Sequence, residues 1–486
     1  MKNLEKYSDR IEKQHLKNKL FYLERLNLLF DNGDYSSLVS ENDEDGCIVC
    51  VGKINEKDVV VACQDFTTQG GSLSLKQGRN IVLAQNYALS HLIPIIYFND
   101  SGGARIQDGI ESLCGYGELF YNNVKLSGIV PQISIIAGPC AGGAVYSPGI
   151  TDFIFMIEDV SQMYITGPKV IKSVTGETIS PEELGGYRVH TEESGVCNAS
   201  FENEELCIEA VKKLLALLPS NFNSYNWYGE SPIKTKLPSF EMPENSKRVY
   251  DIRNLIKDLF DDDSFFEISR NFGKSIITAF ATLNSNTIGI IANQPNYYAG
   301  VLDCDTSDKA ARFVRFCDCF NIPLVTFTDT PGYLPGSDQE AKGIIRHGAK
   351  LIYAFSEAST IKINIILRKA YGGAYIAMNS KHLGADYVYA LQTAECAVMG
   401  AQGAVEIIYA KQIKQLEESE KEEFISKKEL EYQQEIIGYK EGLKKGYIDE
   451  LVDLDQLRLS IYKKINEIAL SKKSVLLCKK HGNIPL

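Results

Sequence analysis

Short apolar runs of strand type recur along this chain, each leading through a glycine-bearing turn into a stretch with helical spacing. Residues 5 to 30 place Ile11, Leu16, Leu20, Leu23, Leu26 and Leu29 among Lys and Glu at that spacing, which predicts one amphipathic helix. Two strand-like runs follow, GCIVCVGKI and DVVVACQDF, then a loop with Gly70, Gly71 and Ser72, a helix over about residues 77–90, and the strand IPIIYFND. Strand, loop and helix units of this kind predict α/β domains.

The pattern is written twice. A Gly-Gly-Ala element closes one apolar run as Gly142-Gly143-Ala144 and another as Gly372-Gly373-Ala374. PIIYFNDSGGARIQDGI from Pro94 parallels PLVTFTDTPGYLPGSDQEAKGI from Pro323, and Asp100 precedes Gly142 by nearly the distance at which Asp329 precedes Gly372. ERLNLLFDNGDYSSL and DIRNLIKDLFDDDSFFEI open the two halves alike. Between them LPSNFNSYNWYGESPIKTKLPSFEMPENSKRVYD, with Pro219, Pro232, Pro238 and Pro243 and no apolar period, reads as an interdomain linker. The expected domains are residues 1–230 and 231–486. Residues 411–447, dense in Lys, Glu and Gln, predict one long solvated helix, with a partner-binding role as the alternative.

A strand that ends in Gly-Gly and enters a helix lets a ligand approach the backbone closely and presents amide N–H groups to it, which suits an anion. One copy would be read as a tight turn packed for steric reasons. Two copies in matched settings favour the anion-binding reading.

Composition narrows the setting. Hydrophobic residues make up 44% and charged residues 23% of the chain, with no low-complexity tract, as in globular proteins. The net charge of -12 gives no nucleic-acid footprint. The absence of a membrane-length apolar run or a signal-peptide core points to the cytoplasm. Twelve cysteines, scattered through apolar segments, read as buried thiols, and the single CxxC, Cys47 and Cys50, falls within a strand. The sequon Asn198-Ala199-Ser200 carries little weight without secretion. His190, His347 and His382 lack metal-ligand spacing and read as structural, Asp100 and Asp329 read as turn caps at strand ends, and Lys76, Arg79 and Arg105 are either phosphate contacts or solvated and structural.

The strings DSGGARIQDGI, GPCAGGAVYSPGITDF, ITGPKVIKSVTGE, TPGYLPGSDQEAKGIIRHGAK, RKAYGGAYIAMNSKHLGAD, AVMGAQGAVEII and KHGNIPL occur in order. Through them nearly the whole chain resembles the β subunits of biotin-dependent acyl-CoA carboxylases, with propionyl-CoA carboxylase the nearest pattern. The resemblance implies two tandem crotonase-like domains of ββα units in a homohexamer, the N-terminal half of one subunit facing the C-terminal half of another. It implies transfer of CO2 from N1-carboxybiotin to the α-carbon of a short acyl-CoA, of the propionyl or acetyl class. Two anionic oxygens arise, on the thioester enolate and on the biotin ureido group, and two oxyanion holes answer them. Gly142 and Gly143 would serve the thioester; Gly373 and Ala374 would serve biotin. Gly102, Gly103, Ala141, Tyr146, Gly372, Ile376 and Arg79 would line the substrate sites.

Backbone donors of this kind are each worth about 3 to 4 kcal/mol. The biotin nitrogen can take the α-proton, so no side-chain base is needed, and no metal is expected. The chain has no Met-Lys-Met attachment element and no room for an ATP-grasp domain, so biotin carboxylase and the biotin carrier must be separate partners.

Ile376 stands where propionyl-CoA carboxylases commonly carry Asp, which predicts a more apolar acyl pocket. Asn80 replaces a usual Lys, with Arg79 beside it as a substitute phosphate contact, and Cys197-Asn198-Ala199-Ser200 replaces a cationic segment. These changes leave an acyl carrier protein open beside CoA. A decarboxylase or transcarboxylase subunit is the alternative within the class. A biotin-independent crotonase-type hydratase or hydrolase would need only one hole, and a non-catalytic assembly protein would need neither.

Overall fold

Asn55 and Glu56 both take left-handed conformations, φ 50 and 64, and this two-residue loop turns the chain into a hairpin. Asn284 and Ser285, φ 52 and 67, do the same in the second half. The computed structural model describes residues 7–40, 44–229, 233, 236–243 and 245–471. The chain divides into two units, Met1–Tyr225 with Ser269–Phe272, and Asn226–Ile268 with Gly273–Leu486.

The first unit holds β1 (Tyr35–Ser37), β2 (Cys47–Ile54), β3 (Lys57–Gln64), β4 (Ile95–Ser101), β5 (Gln132–Ala141), β6 (Phe153–Ile157), β7 (Gln162–Tyr164) and β8 (Ala199–Phe201). They join in the order β1-β2-β3-β4-β5-β6-β8, with β7 on β5; β1 to β3 are antiparallel and the rest parallel. The second unit holds β9 (Phe266–Ile268), β10 (Ile276–Leu283), β11 (Asn286–Asn293), β12 (Leu324–Thr330), β13 (Lys362–Tyr371), β14 (Tyr387–Ala390), β15 (Glu395–Ala397) and β16 (Glu450–Leu451). Their order, β9-β10-β11-β12-β13-β14-β16 with β15 on β13, repeats the first, so the duplication extends to topology.

Helices fill the crossovers between parallel strands. Leu75–His91 follows β3, started by the Ser74 hydroxyl accepting the Gln77 N–H at 3.0 Å. Cys304–Cys319 follows β11, started by Asp303 accepting the Thr306 N–H at 2.8 Å. Ile110–Leu126 and Ile344–Glu357 precede β5 and β13. The cores pack sheet against helix: Val60, Ile95, Tyr97 and Ile136 with Ile81, Ala84 and Leu119 in one unit. Ile277, Ile290, Val325 and Ile365 with Leu255, Leu259, Leu457 and Ile461 do so in the other. Each such side chain contributes about 1.5–3 kcal/mol when fully buried.

Three expectations change. The amphipathic stretch of residues 5 to 30 is two helices, Ser8–His15 and Tyr22–Leu29, broken where Asn18 turns left-handed (φ 54). That turn leaves Leu16 exposed and carries Lys19 into the interior. Residues 411–447 contain Glu418–Glu435 and Lys440–Lys444, preceded by Ala410–Ile413; Gly438 at φ 145 interrupts the run, and the helices bury none of their residues. The expected linker is not free: its residues up to Tyr225 belong to the first unit, and its described residues from Asn226 belong to the second. Trp227 hydrogen-bonds Asn466, the Tyr228 N–H reaches Asn286 at 2.7 Å, and Trp227, Phe240 and Met242 pack on the core.

Pro232 and the KHGNIPL motif lie outside the described residues. Cys47 and Cys50 are both buried in β2. No helix among the described residues is long and apolar enough to cross a membrane.

Candidate active site

β5 ends at Ala141, where Gly142 at φ 63 swings the chain into the helical turn Gly142–Val145 and the helix Tyr146–Ile150. β13 ends at Tyr371, and Gly372 at φ 58 opens the helix Gly372–Ala377. Both glycines occupy the left-handed region, which a side chain would make costly. The first N–H groups of each turn have no intrahelical acceptor and carry the positive end of the peptide dipoles.

The side-chain directions of Gly142 and Gly373 are nearly empty. A Cβ on Gly142 would find only the Ile165 carbonyl, 3.9 Å away, and one on Gly373 only the Tyr333 ring at 3.8 Å. At Gly143 the Tyr116 ring lies 3.0 Å from that position, so this glycine is also needed for packing.

The surrounding loops match as well. Leu73 donates its N–H to the Gly103 carbonyl at 2.9 Å and accepts from Arg105 at 2.9 Å; Leu302 does the same with Gly332 and Leu334, at 3.0 and 2.7 Å. Gly103, at φ 104, lies so close to the Ala141 carbonyl that a Cβ would stand 2.9 Å from it. Gly103, Ala141, Gly142 and Gly143 are therefore gathered at one strand end, with Gly102 in the same loop and Tyr146 one turn beyond, half exposed. Gly372, Gly373, buried Ala374 and half-exposed Ile376 share the helix at the end of β13.

Residues 13–484 match the family model described as the carboxyl transferase domain. The chain belongs to the carboxyl transferase family. It is 44% identical to the methylmalonyl-CoA decarboxylase subunit alpha of Veillonella parvula, over 98% of this chain and 95% of that one. It is 44% identical to the propionyl-CoA carboxylase beta chain of Roseobacter denitrificans, over 98% and 96%. A transcarboxylase 12S crystal structure, reported as a hexamer with methylmalonyl-coenzyme A and methylmalonic acid bound, superposes with a TM-score of 0.93 at 43% identity, covering 98% of this chain and 94% of that one. The carboxyl transferase is thus an enzyme of the biotin-dependent acyl-CoA class, built as the duplicated α/β fold described above.

The remaining predicted contacts of the carboxyl transferase fall in different places. Lys76 and Arg79 lie on the exposed side of helix Leu75–His91, Arg79 with Glu118 at 3.5 Å. Arg105 is turned inward to Asp45 at 3.1 Å and to the Ser72 carbonyl at 3.0 Å, a structural role. Asn80 is buried and donates to the Glu44 carbonyl. Asn198 ties β6 to Ser269, accepting from Ile154 at 2.8 Å and donating at 3.0 Å.

Asp100 and Asp329 do not cap turns. Both are buried at strand ends as centres of ion clusters. Asp100 meets Lys19 at 2.6 Å and Arg25 at 3.1 Å, and Arg25 also meets Glu204 at 2.6 Å. Asp329 meets Arg368 and the Tyr250 hydroxyl, both at 2.9 Å. Sequence reasoning passed over Lys19, Arg25, Glu204, Tyr250 and Arg368. One available signal was Gln64 and Asn293, each 36 residues before its Asp and each accepting that Asp's backbone N–H, at 3.0 and 3.1 Å.

No thiolate nucleophile is at hand in either element. Burial raises the Cys140 thiol well above its usual range, and Cys396 is pushed up to about 12 by burial. The described residues include no group of three or more His, Cys, Asp or Glu placed to hold a metal ion.

His190 is structural. Its Nε2–H donates to the Met163 carbonyl at 2.8 Å while Nδ1 accepts from the Ser194 hydroxyl at 2.8 Å, and burial lowers its pKa from 6.5. A histidine with a depressed folded-state pKa adds stability above the unfolded value and loses it as pH falls through the folded one. An NMR titration of His190 is therefore expected to give a midpoint below 6.5, and the pH dependence of unfolding is expected to weaken when His190→Gln removes the group.

Proposed function

We propose that this chain moves CO2 between biotin and the α-carbon of a short acyl-CoA thioester of the propionyl or acetyl class. The Gly142 and Gly143 N–H groups hold the thioester oxygen as it gains negative charge. The Gly373 and Ala374 N–H groups hold the ureido oxygen. The observation that supports this reading best is the repeated exit: two strands, each followed by a left-handed glycine and a helical turn. A hydratase or hydrolase needs only one such exit.

Biotin, carried on a separate biotin carboxylase or carrier chain, supplies the carboxyl group and the nitrogen that takes the α-proton. The protein's part is to place donors where charge develops, an effect worth about 10² to 10³ in rate for each donor. On its side-chain side Gly373 meets only the Tyr333 ring, 3.8 Å from where a Cβ would stand, a setting that suits a flat ureido ring. Transfer in the opposite direction, as the decarboxylase and transcarboxylase relatives are named for, uses the same donors.

A homohexamer is supported by apolar side chains left exposed on one crossover helix, Ile110, Leu113, Tyr121 and Val124. A cytoplasmic location is supported by the cysteines, which form no disulfide among the described residues.

The test is to incubate the purified protein with malonyl-CoA or methylmalonyl-CoA, with and without free biotin, and follow the thioester. Biotin-dependent loss of the carboxylated thioester is the expected result. Biotin-independent hydration or hydrolysis would overturn the reading. In the same assay Ile376→Asp is expected to change the relative rates of malonyl-CoA and methylmalonyl-CoA several-fold, because one methylene in an apolar pocket is worth about 1–3 kcal/mol. Unchanged preference would remove Ile376 from the acyl pocket.

A further inference from the structure

Both glycine elements leave their sheets through the same irregularity. The β4–β5 pairing runs Asn99↔Ile136 and then Ser101↔Cys140; the β12–β13 pairing runs Thr328↔Ile366 and then Thr330↔Ala370. Two extra residues are thus packed into the strand opposite Asp100 and opposite Asp329, and each glycine element begins two residues after pairing resumes. A bulge bends its strand and re-aims the residues beyond it, and the backbone groups it frees need new partners.

The buried acids and their neighbours supply them. Asp329 Oδ1 accepts the Lys369 N–H at 3.2 Å, and the Thr393 hydroxyl donates to the Leu367 carbonyl at 2.7 Å. Arg368, itself in the bulge, is held by Asp329 and by the Asn245 and Arg248 carbonyls at 3.1 and 2.8 Å. In the first unit Arg25 donates both to Asp100 and to the Ala137 carbonyl at 3.2 Å. Gly138 lets that bulge close directly on the carboxylate, because a Cβ there would stand 2.2 Å from Asp100 Oδ1.

We propose that Asp100 and Asp329 are positioning residues, each locking the two-residue bulge that aims the N–H groups of its glycine element. The inference rests on the carboxyl-transfer reading for what those groups are aimed at. Its structural part stands apart from it.

Four variants of the full chain test the lock. Asp100→Asn and Asp329→Asn keep an oxygen acceptor and remove the charge. Thr393→Val removes one uncharged bond from the C-terminal bulge. Glu267→Gln is the control, since it weakens a pair with Arg253 (2.6 Å) on β9, away from both bulges.

Hydrogen exchange read by mass spectrometry is expected to quicken at least about tenfold in residues 136–147 for Asp100→Asn and in residues 366–377 for Asp329→Asn and Thr393→Val. The other segment, and the control, are expected to stay unchanged. Where turnover is measurable, kcat for the two Asp variants is expected to fall about 10²-fold, as for a misplacement of about 1 Å, with KM for methylmalonyl-CoA within about twofold. Unchanged exchange in a variant's own segment would overturn the proposal. So would equal quickening of both segments in all four variants, or faster exchange at unchanged kcat. The exchange result does not require turnover, so failure of the lock and failure of the carboxyl-transfer reading are told apart.

Discussion

Gly373→Ala is expected to leave the protein as stable as before and to cut biotin-dependent carboxyl transfer about 10²-fold or more. The added methyl meets the Tyr333 ring at 3.8 Å, an ordinary contact, and Gly373 sits inside a helix, where alanine is favoured over glycine by about 0.5–1 kcal/mol. The same methyl crowds the amide that the ureido oxygen must approach. Gly372→Ala differs, because Gly372 stands at φ 58 with the Val398 carbonyl 3.1 Å from the new carbon, so it loses about 1–2 kcal/mol of stability besides. Thermal unfolding and kcat measured on the pair separate the two effects. A fully active Gly373→Ala would show that this amide does not bind the developing anion.

Arg25→Leu is expected to be the most damaging single change in the first unit, at about 3–5 kcal/mol, because it strands the Glu204 carboxylate in the interior and leaves Asp100 with Lys19 as its one remaining cation. That loss is a large share of the roughly 5–15 kcal/mol typical of a folded domain. Burial already raises the pKa of Glu204, opposed mainly by Arg25, and removing the guanidinium leaves only the Leu20 N–H bond to oppose the upward push. A carboxyl group whose folded-state pKa exceeds its unfolded one is destabilising when ionised, and that penalty disappears as pH falls through the folded value. The deficit of Arg25→Leu is therefore expected to be smaller at mildly acidic pH than at neutral pH. Denaturant unfolding of wild type and variant at both values reads it; with two units in the chain, the comparison concerns the transition of the first. A deficit independent of pH would mean that Glu204 remains paired.

How much of the molecule is legible in the sequence depends on the reach of each signal. The glycine elements are legible because strand, glycine and helix are neighbours along the chain, and the hairpins because alternating apolar runs flank a short polar turn. The ion clusters are not, because their members are far apart: Lys19 and Asp100 by 81 residues, Arg25 and Glu204 by 179. Periodicity assigns Lys19 to the polar face of a helix, and only the left-handed turn at Asn18 takes it inside. An aspartate at a strand end resembles a turn residue until the bulge opposite it is seen. Arg105 shows the converse, since a cation in a glycine-rich loop suggests a phosphate and here fastens the loop to Asp45.

The two bulges share one backbone path and differ in what surrounds them. The first acid has two cations, Lys19 and Arg25; the second has one, Arg368, with a phenol and two carbonyls completing the cluster. If the halves descend from one ancestral gene segment, at least one set of partners was exchanged while the strand offset stayed fixed. Drift has then been free to change how the acid is neutralised and not where the chain turns. Two relatives of this enzyme with unlike residues in these clusters would still present their glycines alike.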